Sequence, residues 1–276
     1  MTILIGGSGT IGHKVAQILI DRGESVTIFS RSELLQKQMK VKFPKLKFII
    51  GDVRDFLSVR DAIKDHDTIY LFAALKHIDI CEEFPEEAIK TNVNGALNVL
   101  RACNKNSFKK IIYTSTDKAY QPCGVYGTTK LMAERLLLNQ TNTAVSICRY
   151  GNVIGSRGSI VETFVNQFKN HLPITITDLE MTRFWMTQDT AAQFVVASEK
   201  TTGLNIPNIK ASKITDFARA IGHIMGVSTF DFKVIGLRTD EKIHESLSEG
   251  FSSNTCEQYS FEELVELVKP EVMKYL

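Results

Sequence analysis

Tyr126 and Lys130 stand at i and i+4 in Tyr126-Gly127-Thr128-Thr129-Lys130. On a helix that spacing sets both side chains on one face. An ammonium close to a phenol stabilises the phenolate and draws the tyrosine pKa toward neutral pH. Such a tyrosine can accept the proton of a hydroxyl while hydride leaves the carbon that bears it. Just upstream, an apolar run ends in Ser115-Thr116-Asp117-Lys118-Ala119, which sets a hydroxyl, a carboxylate and an amine side by side. The Tyr–Lys spacing alone is common by chance, so its weight depends on what else the chain contains.

Near the start, a β-rich run enters Gly6-Gly7-Ser8-Gly9-Thr10-Ile11-Gly12 and then an amphipathic stretch. Glycines at 6, 9 and 12 permit a tight turn, a close backbone approach to a pyrophosphate and close helix–strand packing. The first-turn N–H groups of the following helix, with Thr10 and Ile11 beside Gly12, face the phosphates. The second β-rich run ends in Ser30-Arg31-Ser32, where an NAD enzyme usually carries Asp or Glu for the ribose 2′-hydroxyl. A 2′-phosphate suits a guanidinium between two hydroxyls, so the expected cofactor is NADP. Asp52 and Val53 follow the third run and are placed to meet an adenine ring, and Lys76 follows the fourth, within reach of a nicotinamide ribose and a substrate.

The elements that would position these residues alternate. Strand-like runs lie at 2–5, 25–30, 47–50, 68–73, 110–115, 145–149 and 203–206. Helical patterns lie at 10–22, 32–41, 56–64, 85–104, 126–139, 159–169, 187–200 and 213–225. Nearly continuous apolar strands suit a parallel sheet covered on both faces. The expected fold is therefore α/β, a Rossmann-like doubly wound parallel sheet with a small C-terminal substrate-binding lobe. Residues 1–150 are expected to form the NADP-binding core with 187–228 returning to it, and 151–186 with 229–276 to form the lobe.

Composition narrows the partners. Lys+Arg is 33 against Asp+Glu 31, a net charge of +2, which gives no reason to expect nucleic acid or a membrane surface. The five cysteines are odd in number and have neither disulfide-framework nor zinc spacing, so no metal is expected. Strand-like residues begin at Thr2 and no apolar run approaches membrane-spanning length, so a soluble, cytoplasmic protein without a signal peptide is expected.

The stretches GGSGTIG, FSRSELLQKQM, GDVRD, AALKHIDICEEFPEEAIKTNVNGALNV, TSTDKAYQP, VYGTTK, RYGNVIGSRGSI, MTRFWMT and DEKIHE resemble the extended short-chain dehydrogenase/reductase superfamily. Within it they are similar to the inverting UDP-N-acetylglucosamine 4,6-dehydratases of polysaccharide biosynthesis. The resemblance implies an NADP-dependent hydro-lyase that converts UDP-N-acetylglucosamine to UDP-2-acetamido-2,6-dideoxy-L-arabino-hex-4-ulose for surface glycans or glycoproteins. It implies that Thr116 bonds the C4 oxygen, that Tyr126 with Lys130 serves the oxidation at C4, that Lys118 removes the C5 proton, and that Asp117 protonates the departing C6 hydroxyl. It places Glu33 and Leu34 beside Ser32 at the cofactor, with Val153 to Arg157 lining it. Asn152, Ile160, Thr177, Arg238 and Glu241 become nucleotide-sugar contacts and the protein a homo-oligomer, while Arg157 and Arg183 stand as candidates either for diphosphate partners or for surface salt bridges. Two departures stand out: Ile5 replaces a frequent Thr before the glycines, and Arg238-Thr239-Asp240-Glu241-Lys242 replaces Arg-Pro-Gly-Glu-Lys. Two other functions fit the glycine turn and the tyrosine: a nucleotide-sugar 4-epimerase or reductase, which gives Lys118 no role, and a non-catalytic NADP-binding protein.

Overall fold

The computed structural model describes all residues except 104–108, 140, 141 and 157. In chain order the first elements are β1 (Thr2–Ile5), α1 (Thr10–Asp21), β2 (Val26–Ser30), α2 (Glu33–Lys42), β3 (Lys47–Ile50), α3 (Phe56–Ile63), β4 (Thr68–Leu71), α4 (Ile78–Glu83) and α5 (Pro85–Ala88). They are followed by α6 (Gly95–Cys103), β5 (Lys110–Thr116), α7 (Val125–Leu138) and β6 (Ala144–Tyr150). Then come β7 (Asn152–Val153), α8 (Ile160–Lys169), β8 (Ile174–Ile176), β9 (Thr182–Met186), α9 (Gln188–Ala197) and β10 (Gly203–Asn205). The chain closes with β11 (Ala211–Lys213), α10 (Ile214–Ile224), β12 (Phe232–Val234), β13 (Ser246–Ser248), β14 (Phe251–Ser252) and α11 (Phe261–Val272).

The chain divides into two compact units, Met1–Arg149 with Asp189–Pro207 and Tyr150–Gln188 with Asn208–Leu276. In the first, seven strands run in the order β3-β2-β1-β4-β5-β6-β10, with parallel pairing at β1–β2, β1–β4, β2–β3, β4–β5 and β6–β10. Every residue of β1 and β2 is buried, as strands covered on both faces require. One face sets Ile3, Ile5, Ile69, Leu71, Ile111 and Tyr113 against α3, α6 and α7. This is the Rossmann-like α/β fold. Its strand order reverses between β1 and β4, and such a switch point opens a crevice at the carboxyl ends of the strands.

The second unit has a three-stranded sheet, β11-β9-β7, and two small two-stranded ones. Its core joins Phe164 and Phe168 of α8, Trp185 of β9, Phe217 of α10, and Leu264 and Val268 of α11. The Trp185 ring stacks on Phe217 with centroids 4.1 Å apart.

Three differences from the sequence expectations have physical causes. The return to the first unit is 189–207 rather than 187–228, because α10 buries Phe217, Ala218 and Ile221 in the core of the second unit. The helix expected over 85–104 is interrupted by a π-helical stretch at Ile89–Asn94, whose wider turn carries the buried Asn92. Helix α11 and the short strands of the second unit match no expected element. Among the described residues, no helix is long and apolar enough to cross a membrane.

Candidate active site

The glycine turn lets β1, the loop after β4 and α1 pack backbone against backbone. Gly6 has φ +80°, and a Cβ there would stand 2.5 Å from the backbone nitrogen of Ala73. A Cβ on Gly12 would lie 2.3 Å from the Gly7 carbonyl, so only glycine lets α1 start this close to β1. Gly9 caps α1 with no side-chain hydrogen bond, which leaves the first-turn N–H groups around Thr10, Ile11 and Gly12 directed outward. That arrangement fits a dinucleotide pyrophosphate.

At the end of β2, Ser30 Oγ accepts from Gln36 Nε2 at 3.0 Å, so the serine hydrogen remains to donate. Ser32 caps α2 by accepting from the Leu35 amide, and Glu33 and Leu34 are exposed in the first turn of that helix. Arg31 is exposed, with its Nη1 3.9 Å from Asp52 Oδ2. Burial would raise the Asp52 carboxyl, but hydrogen bonds from Arg54 and the charges of Arg54 and Arg31 hold it below its ordinary range. The Val53 side chain sits in the core, so that position can offer a ligand only its backbone. These groups stand where the adenosine end of a dinucleotide would lie.

The catalytic candidates gather where β5 ends. Asp117 is fully buried, and its Oδ1 accepts from Thr116 Oγ1 at 2.9 Å and from Lys118 Nζ at 3.0 Å. Its Oδ2 is buried with no hydrogen-bond partner among the described residues. Tyr126, on the first turn of α7, joins the cluster through a hydrogen bond with Thr116. Burial pushes its phenol up to about 12, while the Lys118 cation pulls it down and the Asp117 charge pushes it up. The i,i+4 spacing predicts Lys130 as the cation acting on Tyr126. In the structure that cation is Lys118. Lys130 Nζ instead donates to the Thr114 carbonyl at 2.7 Å and lies 4.0 Å from the Tyr113 ring centroid. Burial brings the Lys130 amine down to about 7, opposed by the charge of Glu134. Lys76 is exposed in the loop after β4.

In the second unit, Asn152 and Val153 form β7, paired in parallel with Trp185 and Met186 of β9. Ile160 opens α8, and the Oγ of Ser159 before it is buried with no partner among the described residues. Thr177 Oγ1 donates to Met181 Sδ. Arg238 Nη2 lies 3.3 Å from Glu241 Oε1, and Glu241 Oε2 is buried and unpartnered among the described residues. Arg157 lies outside the described residues.

Arg183 does not offer itself to a diphosphate. Its buried guanidinium donates to the carbonyls of Thr182 at 2.7 Å, Ile243 at 3.0 Å and Lys242 at 2.9 Å, and so holds the segment after Glu241. Arg183→Met should therefore cost about 2–3 kcal/mol, because the carbonyls lose charge-assisted donors. Urea unfolding measures this, and an unchanged midpoint would show those bonds to be dispensable.

Two buried asparagines of the helical run at 85–103 were missed from sequence. Asn92 accepts from the Leu75 amide at 2.8 Å and donates to the Leu75 carbonyl and to Thr129 Oγ1, both at 3.0 Å. It thereby ties the loop bearing Lys76 to α7. Asn98 Nδ2 donates to the carbonyls of Val53 and Arg54 and fixes the loop after β3. The available signal was polar residues at core positions of an apolar helical pattern.

A family profile described as polysaccharide biosynthesis protein matches residues 2–266. The chain belongs to this family. The inverting UDP-N-acetylglucosamine 4,6-dehydratase of Campylobacter jejuni is 38% identical over 276 aligned residues, covering 94% of this chain and 80% of that protein. A UDP-glucose 4-epimerase of Rickettsia canadensis is also 38% identical, over 261 residues, covering 89% of this chain and 76% of that one. Among solved structures, Pen from Bacillus thuringiensis superposes with a TM-score of 0.90 at 30% identity, covering 98% of this chain and 97% of that one.

Proposed function

We propose that this protein is an NADP-dependent, 5-inverting UDP-N-acetylglucosamine 4,6-dehydratase acting in glycan biosynthesis. Relatives in the family carry dehydratase and epimerase names at the same identity, so the site has to decide. One observation carries the reading: the buried Asp117 carboxylate, paired with the half-buried Lys118 and with one oxygen unpartnered among the described residues, beside Thr116 and Tyr126. A 4-epimerase needs proton and hydride exchange at C4 alone. Elimination of water across C5 and C6 needs in addition a base and an acid.

The dinucleotide, held by its pyrophosphate at the glycine turn and by its adenosine end at Ser30, Arg31 and Ser32, would take a hydride from C4 and return it to C6, leaving the C4 ketone in the product. The residues do the rest. Thr116 and Tyr126 hold the C4 oxygen, and Tyr126 takes its proton. The resulting 4-ketone acidifies the hydrogen at C5. Lys118 Nζ donates to Asp117 Oδ1 at 3.0 Å. Passing the proton of that bond from Nζ to the carboxylate would give a neutral amine and a carboxylic acid without changing net charge. The amine then removes the C5 proton, and the acid protonates the C6 hydroxyl as it leaves. Lys130, with the Thr114 carbonyl and the Tyr113 ring, anchors the cofactor side of α7. In the second unit, Asn152, Ile160, Thr177, Arg238 and Glu241 would bind the nucleotide sugar.

Purified protein incubated with UDP-N-acetylglucosamine in deuterated water, without added cofactor, tests this. The expected product is lighter by one water, inverted and deuterated at C5, and acid denaturation should release NADP. An isomer of unchanged mass would replace this reading with a 4-epimerase, and released NAD would overturn the cofactor assignment.

A further inference from the structure

Helix α7 carries a buried charge that the proposed chemistry does not use. Glu134 follows Lys130 by one helical turn on the same face, and both are almost fully buried. The partner of Glu134 is Arg149 near the carboxyl end of β6, with Nε donating to Oε1 at 3.0 Å and Nη2 to Oε2 at 2.5 Å. Arg149 also lies 5.9 Å from the ring centroid of Tyr120, the residue capping the turn Asp117–Ala119. One guanidinium therefore meets the helix that bears Tyr126 and Lys130 and the turn that bears Asp117 and Lys118.

A buried ion pair is a poor way to gain stability, since apolar residues of similar volume serve as well or better. A two-pronged pair does fix direction and distance, because the guanidinium fork accepts a carboxylate in one orientation. Without Arg149, the Glu134 carboxylate would have the Lys130 ammonium as its nearest buried cation on α7. Lys130 would then be drawn from the Thr114 carbonyl and the Tyr113 ring that now hold it.

We infer that Arg149 and Glu134 are positioning residues for the reaction, the pair locking α7 in register with β5 and β6 while Arg149 keeps Glu134 from capturing Lys130. This inference rests on the dehydratase reading for its activity arm only. The groups facing Lys130 are Glu134 of its own helix and Tyr113 of β5, with Arg149 of β6 behind Glu134.

The test compares Arg149→Met, Glu134→Gln and the double variant E134Q/R149M with the full-length wild-type protein. The Lys130 ammonium is titrated by NMR in protein carrying 13C-labelled lysine, with the signal assigned through Lys130→Arg. The wild-type midpoint is expected near 7. Removing the cation in Arg149→Met should move it up, and removing the anion in Glu134→Gln should move it down. Opposite displacements are not produced by a pair that only holds the fold together. Turnover of UDP-N-acetylglucosamine should fall about 100-fold in kcat with KM little changed, the scale of a small misplacement of reacting groups. If either single variant fails to fold, the double variant, which removes both members of the pair together, carries the test. A Lys130 midpoint that stays put in all three variants, or a double variant with wild-type kcat, overturns the inference. A wild-type protein inactive on this sugar would remove the substrate reading and leave the titration to decide the role of the pair.

Discussion

Lys118→Ala should lower dehydration of UDP-N-acetylglucosamine by roughly 10²–10⁴-fold, the usual contribution of a positioned general base. The loss is expected after C4 has been oxidised, because Tyr126 and Thr116 remain. Rapid quenching with borodeuteride should therefore find deuterium at C4 of the sugar in up to one equivalent per site, with none incorporated at C5 from deuterated water. Removing the ammonium also leaves Asp117 a buried charge without its partner, which costs stability in its own right. The double variant D117N/K118A removes that charge and serves as the folding control. Should Lys118→Ala still incorporate solvent deuterium at C5, another base does the work and the role of Lys118 is wrong.

The first unit was largely legible in the sequence because its inner strands are buried on both faces and read as nearly unbroken apolar runs, as β1 and β2 do. Expected and observed bounds agree at 2–5 and 47–50 and differ at the ends elsewhere. The second unit was less legible. Its strands are two to five residues long, too short for alternation to register. Helix α11 did carry a signal, the capping box of Ser260 and Glu263, but Pro270 inside the helix blurs the pattern that follows it. The site divides in the same way. Thr116, Asp117, Lys118 and Tyr126 lie close together along the chain, so their order reveals their meeting. Asn92, Asn98 and the Arg149–Glu134 pair act across segments far apart in sequence, where spacing says nothing. The Tyr126–Lys130 spacing implied a contact that the structure does not show: a shared helix face does not fix which neighbour a long side chain reaches, and the Thr114 carbonyl and Tyr113 ring claim Lys130.

Tyr126→Phe should stop the reaction one stage earlier than Lys118→Ala. With no phenol to take the C4 proton, borodeuteride quenching should recover sugar without deuterium at C4, and turnover should fall by about 10²–10⁴-fold. The pH dependence follows from the environment of the phenol. Burial raises Tyr126 to about 12 in the free protein, so its base form is scarce at neutral pH and grows as pH rises. Wild-type kcat/KM, which reports groups of the free enzyme, should climb with pH from neutral toward alkaline, and Tyr126→Phe should flatten that limb. Because Lys118 is the cation that pulls the phenol down, Lys118→Ala should carry the limb to higher pH when C4 oxidation is followed by the same quench. A limb that persists unchanged in Tyr126→Phe would assign it to another group. The opposing pulls on one phenol, from the Lys118 cation and the Asp117 carboxylate, also tie oxidation to elimination. Passing the Lys118 proton to Asp117 removes both charges next to Tyr126 at once, so the pair can change state without stranding the phenol beside an uncompensated carboxylate.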